Sequence, residues 1–145
     1  MTSVSVFDVA NYILDKKGFM TAMKIQKLVY YSQAWSLVWD EEELYQEEIQ
    51  AWANGPVVKD LYIAHRGEFR IRRQFDDGDK NKLSPRQQSN VDKVLDFYGN
   101  KSSQWLSDLT HNELPWIISR NGLAASERGD KEITTSSMAE YYSNL

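Results

Sequence analysis

Apolar residues recur at helical spacing through much of the chain, and the longest such run predicts a central helix over residues 21–39. No Gly or Pro interrupts this run, and its hydrophobic positions fall on two nearly opposite faces at 3.6 residues per turn. One face carries Ile25, Leu28, Val29, Ser32, Trp35, Ser36 and Trp39, and the other carries Met23, Tyr30, Ala34 and Leu37. Because a helix that is apolar on two sides is covered on two sides, we expect the other elements to pack around it. Thr21 is suited to cap its N-terminus.

Capping residues predict two further helices of ordinary length. Ser5 and Asp8 form a capping box that opens a helix over residues 6–17, and Gly18 follows this helix at its C-terminal end. The sequence Ser84-Pro85-Arg86-Gln87 has a cap, a first-turn proline and a glutamine in the order that opens a helix.

Shorter helices are predicted in the last third of the chain. Ser103 caps the first of them, and Leu114-Pro115 opens the second, which Asn121-Gly122 ends. Thr135 or Ser136 caps the last helix.

Strand character is confined to the middle of the chain. Residues 44–45 and 49–53 read as two short strands, and Asn54-Gly55 stops the second. We expect Pro56 to be the first residue of the helix that follows. Residues 65–81 fit either an edge strand or a folded loop, and Ile133 fits a short extended contact.

These elements predict a mainly α (α+β) fold. The expected architecture is a compact single-domain helical bundle over residues 1–145, built around the central helix at about 21–39. A small two-stranded β element is expected at about 44–53. A chain of 145 residues is typical of one domain with one core.

Composition excludes several classes of function. The net charge is −4, which argues against a general nucleic-acid binder, because such proteins need surplus Lys and Arg to neutralise phosphates. Cysteine is absent, so disulfides and thiolate chemistry are excluded. No signal-peptide pattern and no run of apolar residues long enough to span a bilayer is present, so the cytoplasm is the simplest location.

Catalytic and metal-binding signatures are missing, and we expect no cofactor and no metal. The two histidines are His65 and His111, too few for a zinc site without cysteine or clustered carboxylates. His111-Asn112-Glu113 resembles the first half of a zinc-deaminase signature, but the cysteine pair that completes it is absent. We therefore interpret His111 and Glu113 as hydrogen-bonding residues that orient the short helices around them.

Two charged stretches are the candidate partner-binding residues. The acidic stretch is either a solvated loop or a docking surface for a basic partner. The arginine stretch is either neutralised by nearby acids or meets phosphate or an acidic protein surface. Their residues are Asp40, Glu41, Glu42, Glu43, Glu47 and Glu48 in the first, and Arg66, Arg70, Arg72 and Arg73 in the second. If neither stretch binds the partner, the surface around Trp52 and Trp116 is the next candidate.

The chain contains three motif-like stretches, MKIQKLVYYSQAW at 23–35, EIQAWANGPVV at 48–58 and LSDLTHNELPW at 106–116. Together they resemble the Panacea antitoxin domain, also called the SocA-like domain and related to the phage-associated protein GepA. Residues 23–35, MKIQKLVYYSQAW, resemble the family's K-L-Q-K-L-L-Y-Y-A-Q-x-W. Residues 48–58, EIQAWANGPVV, resemble E-x-I-x-A-W-x-x-G-P-V-V, and residues 106–116, LSDLTHNELPW, resemble L-S-x-x-T-H-x-x-x-P-W. The motif residues in this chain are Lys24, Gln26, Lys27, Tyr30, Tyr31, Gln33, Trp35, Trp52, Gly55, Pro56, His111, Pro115 and Trp116.

This resemblance implies an antitoxin that neutralises a cognate protein toxin by direct binding. Such proteins are typically encoded beside their toxin, often in prophages, and one of them resembles a protease adaptor that delivers its toxin to a degradation machine. Some members carry an added DNA-binding segment. The domain here starts within the first few residues, so direct DNA binding is not expected.

Two other readings compete with this one. The first is a phage or prophage protein that binds and inhibits a host or defence protein. The second is an enzyme of unknown reaction that uses Lys24, Lys27, Gln33, His111 and Glu113. It ranks last because no nucleophile and base can be paired from the sequence, so we expect no enzymatic activity.

Overall fold

The structure is a computed structural model, and it describes residues 3–124 and 126–145. In this part of the chain seven α-helices and four short strands follow one another, with one 3₁₀ helix (Lys80–Lys82). The helices are α1 (Val6–Lys17), α2 (Ala22–Asp40), α3 (Lys59–His65), α4 (Pro85–Tyr98), α5 (Ser103–His111), α6 (Leu114–Arg120) and α7 (Thr135–Ser143). The strands are β1 (Met20–Thr21), β2 (Ile49–Trp52), β3 (Gly55–Val58) and β4 (Arg70–Ile71). The fold is mainly α, as the sequence predicts.

Helix α2 is the centre of the fold and is covered on several sides. It contacts α1, α4, α5, α7 and β3, and its residues from Ile25 to Ala34 are all buried. Thr21 caps it by accepting a hydrogen bond from the Lys24 amide. The two-sided apolar pattern is thereby explained. The burial weakens toward both ends: Met23 and Lys24 are half-buried in the first turn, and near the C-terminal end Trp35 is half-buried and Trp39 is 38% exposed.

The capping residues of α1 and α4 are confirmed, while those of α5 and α7 are shifted. Both capping boxes form, at Ser5 and at Ser84. Ser102 caps α5 instead of Ser103, and Thr134 caps α7 instead of Thr135 or Ser136. Each of these regions has adjacent Ser or Thr residues, and the first residue of the run is the one that caps the helix.

The main β element is a hairpin that lies later in the chain than predicted. Strands β2 and β3 pair antiparallel, with Ala51 opposite Pro56 and Trp52 opposite Gly55. The prediction of a strand at 44–45 and of a helix beginning at Pro56 is wrong. Gly55 has a φ of 116°, which reverses the chain and places residues 55–58 beside 49–52. The helix then begins at Lys59.

Residues 65–81 combine the two alternatives that the sequence leaves open. Arg70 and Ile71 form a two-residue strand that pairs with Thr21 and Met20. His65 still belongs to α3, the 3₁₀ helix begins at Lys80, and the remaining residues are loop. The Ala22 amide also donates to the Phe69 carbonyl at 2.9 Å, which ties this strand to the start of α2. The predicted extended contact of Ile133 is confirmed, because its amide donates to the Ile49 carbonyl at 2.7 Å.

Two buried side-chain amides attach loops to the two N-terminal helices. Asn11 on α1 accepts from the Phe75 amide and donates to the Phe75 carbonyl. Gln33 on α2 accepts from the Leu44 amide and donates to the Tyr45 carbonyl. These side chains therefore bind the backbone groups that a neighbouring strand would otherwise bind, and residues 44–45 are buried without forming a strand.

Among the helices in the described ranges, none is long and apolar enough to cross a lipid bilayer.

Candidate functional site

An open groove of about 780 Å³ lies beside the first turn of α2. The hairpin forms one wall, and α3 with the loop after it forms another. Residues 128–130 close a third side. Four separate segments of the chain therefore meet here, and the volume is in the range of ordinary ligand-binding pockets.

The hairpin wall is aromatic and held in place by hydrogen bonds. The Trp52 ring meets the Tyr62 ring edge-on at 4.8 Å, and Tyr62 meets His65 in the same way at 5.5 Å. Trp52 Nε1 donates to Gln50 Oε1 at 2.8 Å, and Gln50 Nε2 donates to Glu48 Oε2 at 2.8 Å. The indole is thus fixed in one orientation at the edge of the groove.

Two apolar side chains of the groove are turned toward solvent. Phe69 is 82% exposed and Ile63 is 53% exposed. The backbone of Phe69 is fixed by its hydrogen bond to Ala22, so the ring is displayed from a rigid position. Exposed aromatic side chains of this kind are typical of protein interfaces.

Gln26 forms the base of the groove and joins α2 to β3 and α3. Its Oε1 accepts from the Val58 amide at 2.8 Å, and its Nε2 donates to the Val58 carbonyl and to His65 Nε2. Burial lowers the pKa of His65, which keeps the ring neutral and able to accept this hydrogen bond. The polar atoms of the Gln26 side chain and His65 Nε2 therefore form internal hydrogen bonds that hold the walls of the groove in place.

Lys27 is fully buried behind the hairpin. Its Nζ donates to the Pro56 carbonyl at 3.2 Å, and its stem passes over Gly55 and toward Thr110. Burial lowers its pKa to about 7, since no carboxylate lies within ion-pair distance among the described residues. The side chain fastens the turn of the hairpin to α2 and does not reach the groove.

A stack of three side chains supports the hairpin from the other side. Trp116 Nε1 donates to the Trp52 carbonyl at 2.8 Å, and His111 stacks on Trp116 at 4.2 Å. The Arg120 guanidinium lies over the Trp116 ring at 5.3 Å and donates to the Ala51 carbonyl. Burial lowers the pKa of His111, and its Nε2 atom is buried without a hydrogen-bond partner in the described structure.

Glu113 is the centre of a buried tyrosine cluster. Its Oε1 accepts from the Tyr31 hydroxyl at 2.6 Å and from the Tyr142 hydroxyl at 2.8 Å. Tyr30 and Tyr142 share a hydrogen bond at 3.0 Å, so the cluster joins α2 to α7. Burial raises the pKa of Glu113, and it also raises the pKa values of Tyr30, Tyr31 and Tyr142.

Most family-motif residues therefore lie inside the protein. Trp35 Nε1 donates to the Tyr98 hydroxyl at 3.0 Å, and Pro115 is buried in the first turn of α6. Lys24 is half-buried in the first turn of α2, where burial lowers its pKa. Of the thirteen, only Gln26 and Trp52 line the groove.

The five candidates for an enzyme site are not gathered around the groove. Gln33, Lys27 and Glu113 use their polar atoms in the internal hydrogen bonds described above. None of the five, Lys24 and His111 included, lines the groove. In residues 3–124 and 126–145 no three His, Asp or Glu side chains group as metal ligands would.

The acidic stretch is divided between internal contacts and solvent. Asp40 accepts from Arg86 Nε at 2.8 Å and from Asn90 Nδ2 at 2.7 Å. Glu47 accepts from the Val6 amide at the start of α1. Residues 41–43 are exposed. The stretch is therefore not one continuous acidic surface.

The arginine stretch is also divided. Arg73 pairs with Glu68 at 3.2 Å, and Arg70 donates weakly to the Phe19 carbonyl. Arg66 lines the groove and Arg72 is exposed, and within the described ranges neither has a carboxylate at ion-pair distance.

The two stretches lie at opposite ends of α2. The acidic stretch follows Asp40 at its last residue, and Phe69 beside the arginines is bonded to Ala22 at its first. Nineteen residues at 1.5 Å each make this helix about 28 Å long. A single small contact patch therefore cannot include both residues 40–43 and the arginines, whereas Glu48 is bonded to Gln50 at the edge of the groove.

Sequence reasoning missed Ile63, Phe69 and Arg128 as residues of the groove. Phe69 stands between Glu68 and Arg70, and an aromatic residue flanked by charges was the available signal. Arg128 had none, because it reaches the groove only through the return of the chain after α6.

Comparison with known proteins identifies a family. The family model described as Antitoxin SocA-like, Panacea domain, matches residues 25–117, well over half of the chain. The matched region extends from α2 into α6 and includes all three motif stretches except Met23 and Lys24. No curated protein and no solved structure matches the chain.

Proposed function

The chain belongs to the SocA-like antitoxin family with a Panacea domain, and from this we propose that it neutralises one protein toxin by binding it directly. The family match over residues 25–117 is the observation that carries the proposal. Antitoxins of this kind act in a complex, so the relevant feature of the molecule is a surface and not a catalytic centre.

The structure supports a binding function through what it leaves on the surface. The polar motif residues Gln26, Lys27 and Gln33 hold the fold together, whereas Ile63 and Phe69 are displayed at the groove. Apolar side chains on a rigid concave surface gain most from being covered by a partner. We therefore propose a stoichiometric action with no chemical step.

Co-expression tests this proposal. The product of the adjacent gene is induced alone and together with this protein, growth is followed, and a tagged form of this protein is used for pull-down. We expect growth arrest that is relieved by this protein, together with a complex of fixed stoichiometry. Growth arrest without relief, or relief without a complex, would contradict direct neutralisation.

The amount of toxin in the cell separates two routes to protection. If the antitoxin covers the toxin, the toxin level is unchanged on co-expression and the complex accumulates. If the antitoxin delivers the toxin to a protease, the toxin level falls, and deletion of the protease restores toxicity. Quantitative immunoblotting of the tagged toxin measures this difference.

A further inference from the structure

Building on the proposed function, we propose that the groove beside α2 is the toxin-docking surface and receives an acidic segment of the toxin that carries an apolar side chain. The proposal concerns the surface and the chemistry of its occupant. It rests on three observations about the groove: its shape, its exposed apolar groups and its charge.

Phe69 in the groove differs in its surroundings from two other exposed aromatic residues, Trp39 and Trp105. Lys93 lies over the exposed Trp39 ring and Lys101 lies over Trp105, so these rings are already partly covered within the chain. Phe69 is the most exposed of the large hydrophobic residues described, and it stands in a concave surface. A partner side chain inserted there covers Phe69, Ile63 and the edge of Trp52 together.

The charge of the groove runs against that of the whole chain. Lys59, Arg66 and Arg128 line it, and among the described residues none of the three has a carboxylate at ion-pair distance. Of the two acids that line it, Glu68 is paired with Arg73, which leaves Asp130. A chain with a net charge of −4 thus carries a surplus of positive charge here.

The exposed apolar side chains and the positive charge of the groove together indicate the chemistry of the segment that binds there. Unpaired cations at the rim favour carboxylates, which gain electrostatic complementarity and a faster association. The apolar centre favours an aliphatic or aromatic side chain between those carboxylates. A nucleic acid would also meet the arginines and would find the exposed Phe69 ring to stack on, but the net charge of −4 disfavours a polyphosphate partner, and the oligonucleotide probe below separates the two occupants.

Binding of the purified adjacent gene product to groove variants tests the proposal. Phe69→Ser removes the exposed ring, and Phe97→Ser is its matched control, since Phe97 is 61% exposed on α4 and does not line the groove. We expect Phe69→Ser to raise Kd about tenfold or more and Phe97→Ser to change it less than about twofold. Both rings are exposed, so both variants are expected to melt at the wild-type temperature.

Charge reversal tests whether the positive charge of the groove contributes to binding of the toxin. Arg66→Glu with Arg128→Glu is compared with Lys82→Glu with Lys93→Glu, which changes net charge equally at exposed positions outside the groove. Because Lys93 lies over Trp39, the melting temperature of this control is compared with that of the wild type before binding is measured. We expect the first pair to raise Kd about tenfold or more and to remove the salt dependence of binding, and the second pair to do neither.

The outcomes distinguish this proposal from the proposed function. If the wild type neither binds nor rescues, direct neutralisation fails and the groove proposal fails with it. If the wild type binds and rescues while both groove variants bind equally well, only the groove proposal is overturned. A labelled single-stranded oligonucleotide is the second probe. The groove proposal would also be overturned if the wild type binds this oligonucleotide at about 0.15 M salt, and if the Arg66→Glu with Arg128→Glu variant loses oligonucleotide binding but still binds the toxin.

Discussion

The stem of Lys27 lies directly over Gly55, so that a Cβ atom at Gly55 would be 2.6 Å from Lys27 Cε. The same Cβ would be 2.9 Å from Thr110 Oγ1. Together with the positive φ of Gly55, this contact explains why the family motif has glycine at the turn before Pro56.

Substitution of Gly55 is therefore expected to be costly. Gly55→Val should lower the free energy of unfolding by about 3 kcal/mol, because it adds a strained φ to a clash with the buried lysine. Asn54→Ala should cost less than about 1 kcal/mol, since Asn54 is exposed and contributes its carbonyl to Ser107. Gly67→Ala measures the cost of a positive φ without a steric clash, because Gly67 has a φ of 90° and no atom lies within 4 Å of the position that its Cβ would take. Equal costs for Gly55→Val and Asn54→Ala in urea titrations would contradict this account.

Lys27 should make stability rise with pH above neutrality. Its pKa is about 7 in the folded protein and near 10.5 in the unfolded chain, so between these values the unfolded state binds more protons. The free energy of unfolding then increases from about pH 7 to pH 9, by up to about 1.4 kcal/mol per pH unit. His65 and His111 do not disturb this window, because burial lowers both of their pKa values below 6.5.

Lys27→Met provides the comparison for that slope. The variant keeps the apolar stem and loses the titrating group, so its stability should be nearly flat from pH 7 to pH 9. Urea unfolding at three pH values measures both slopes. Parallel curves for the two proteins would mean that Lys27 does not carry the effect.

Trp35 should contribute more to stability than Trp39. The Trp35 ring packs against Tyr142 at 5.6 Å and its Nε1 is bonded to Tyr98, whereas Trp39 is partly exposed at the end of α2. We expect Trp35→Ala to cost about 3 kcal/mol and Trp39→Ala about 1 kcal/mol. Thermal melting checks both, and a wild-type melting curve for Trp35→Ala would refute the structural role of this ring.

Gln26 should be hard to replace because it satisfies buried backbone groups. Gln26→Leu removes the partner of the buried Val58 amide and that of His65 Nε2, at an expected cost of about 3 kcal/mol. Gln46→Leu, at an exposed position, should change stability by less than about 0.5 kcal/mol. Hydrogen exchange at the Val58 amide should be faster in the Gln26 variant alone, and unchanged protection there would contradict the prediction.

Protection from the toxin should survive loss of the ionisable group at Glu113. Glu113→Gln keeps an oxygen that accepts from Tyr31 and Tyr142, so the cluster and the fold should persist. Because the proposed action has no chemical step, co-expressed Glu113→Gln should restore growth as fully as the wild type does. A folded variant that binds the toxin without protecting cells would instead favour an enzymatic role.

The sequence alone determined the helices whose ends are set by local chemistry. Ser5 with Asp8 and Ser84 with Gln87 form hydrogen bonds between residues three apart, so the short-range pattern is sufficient to place them. The apolar residues between positions 21 and 39 fall on two faces of the helix, and this pattern likewise predicts that α2 is buried on both faces and lies at the centre of the fold. The family motifs could also be read from the sequence.

Only the tertiary structure decided how the hairpin and the groove are made. Gly55-Pro56 is compatible with a helix start and with a strand, and the choice depends on Lys27 and Gln26, about thirty residues away in the chain. The groove combines Trp52, Ile63 and Arg128, which no local period connects. Periodicity reports which side of an element is buried, but long-range packing decides which surfaces meet and which side chains remain exposed between them.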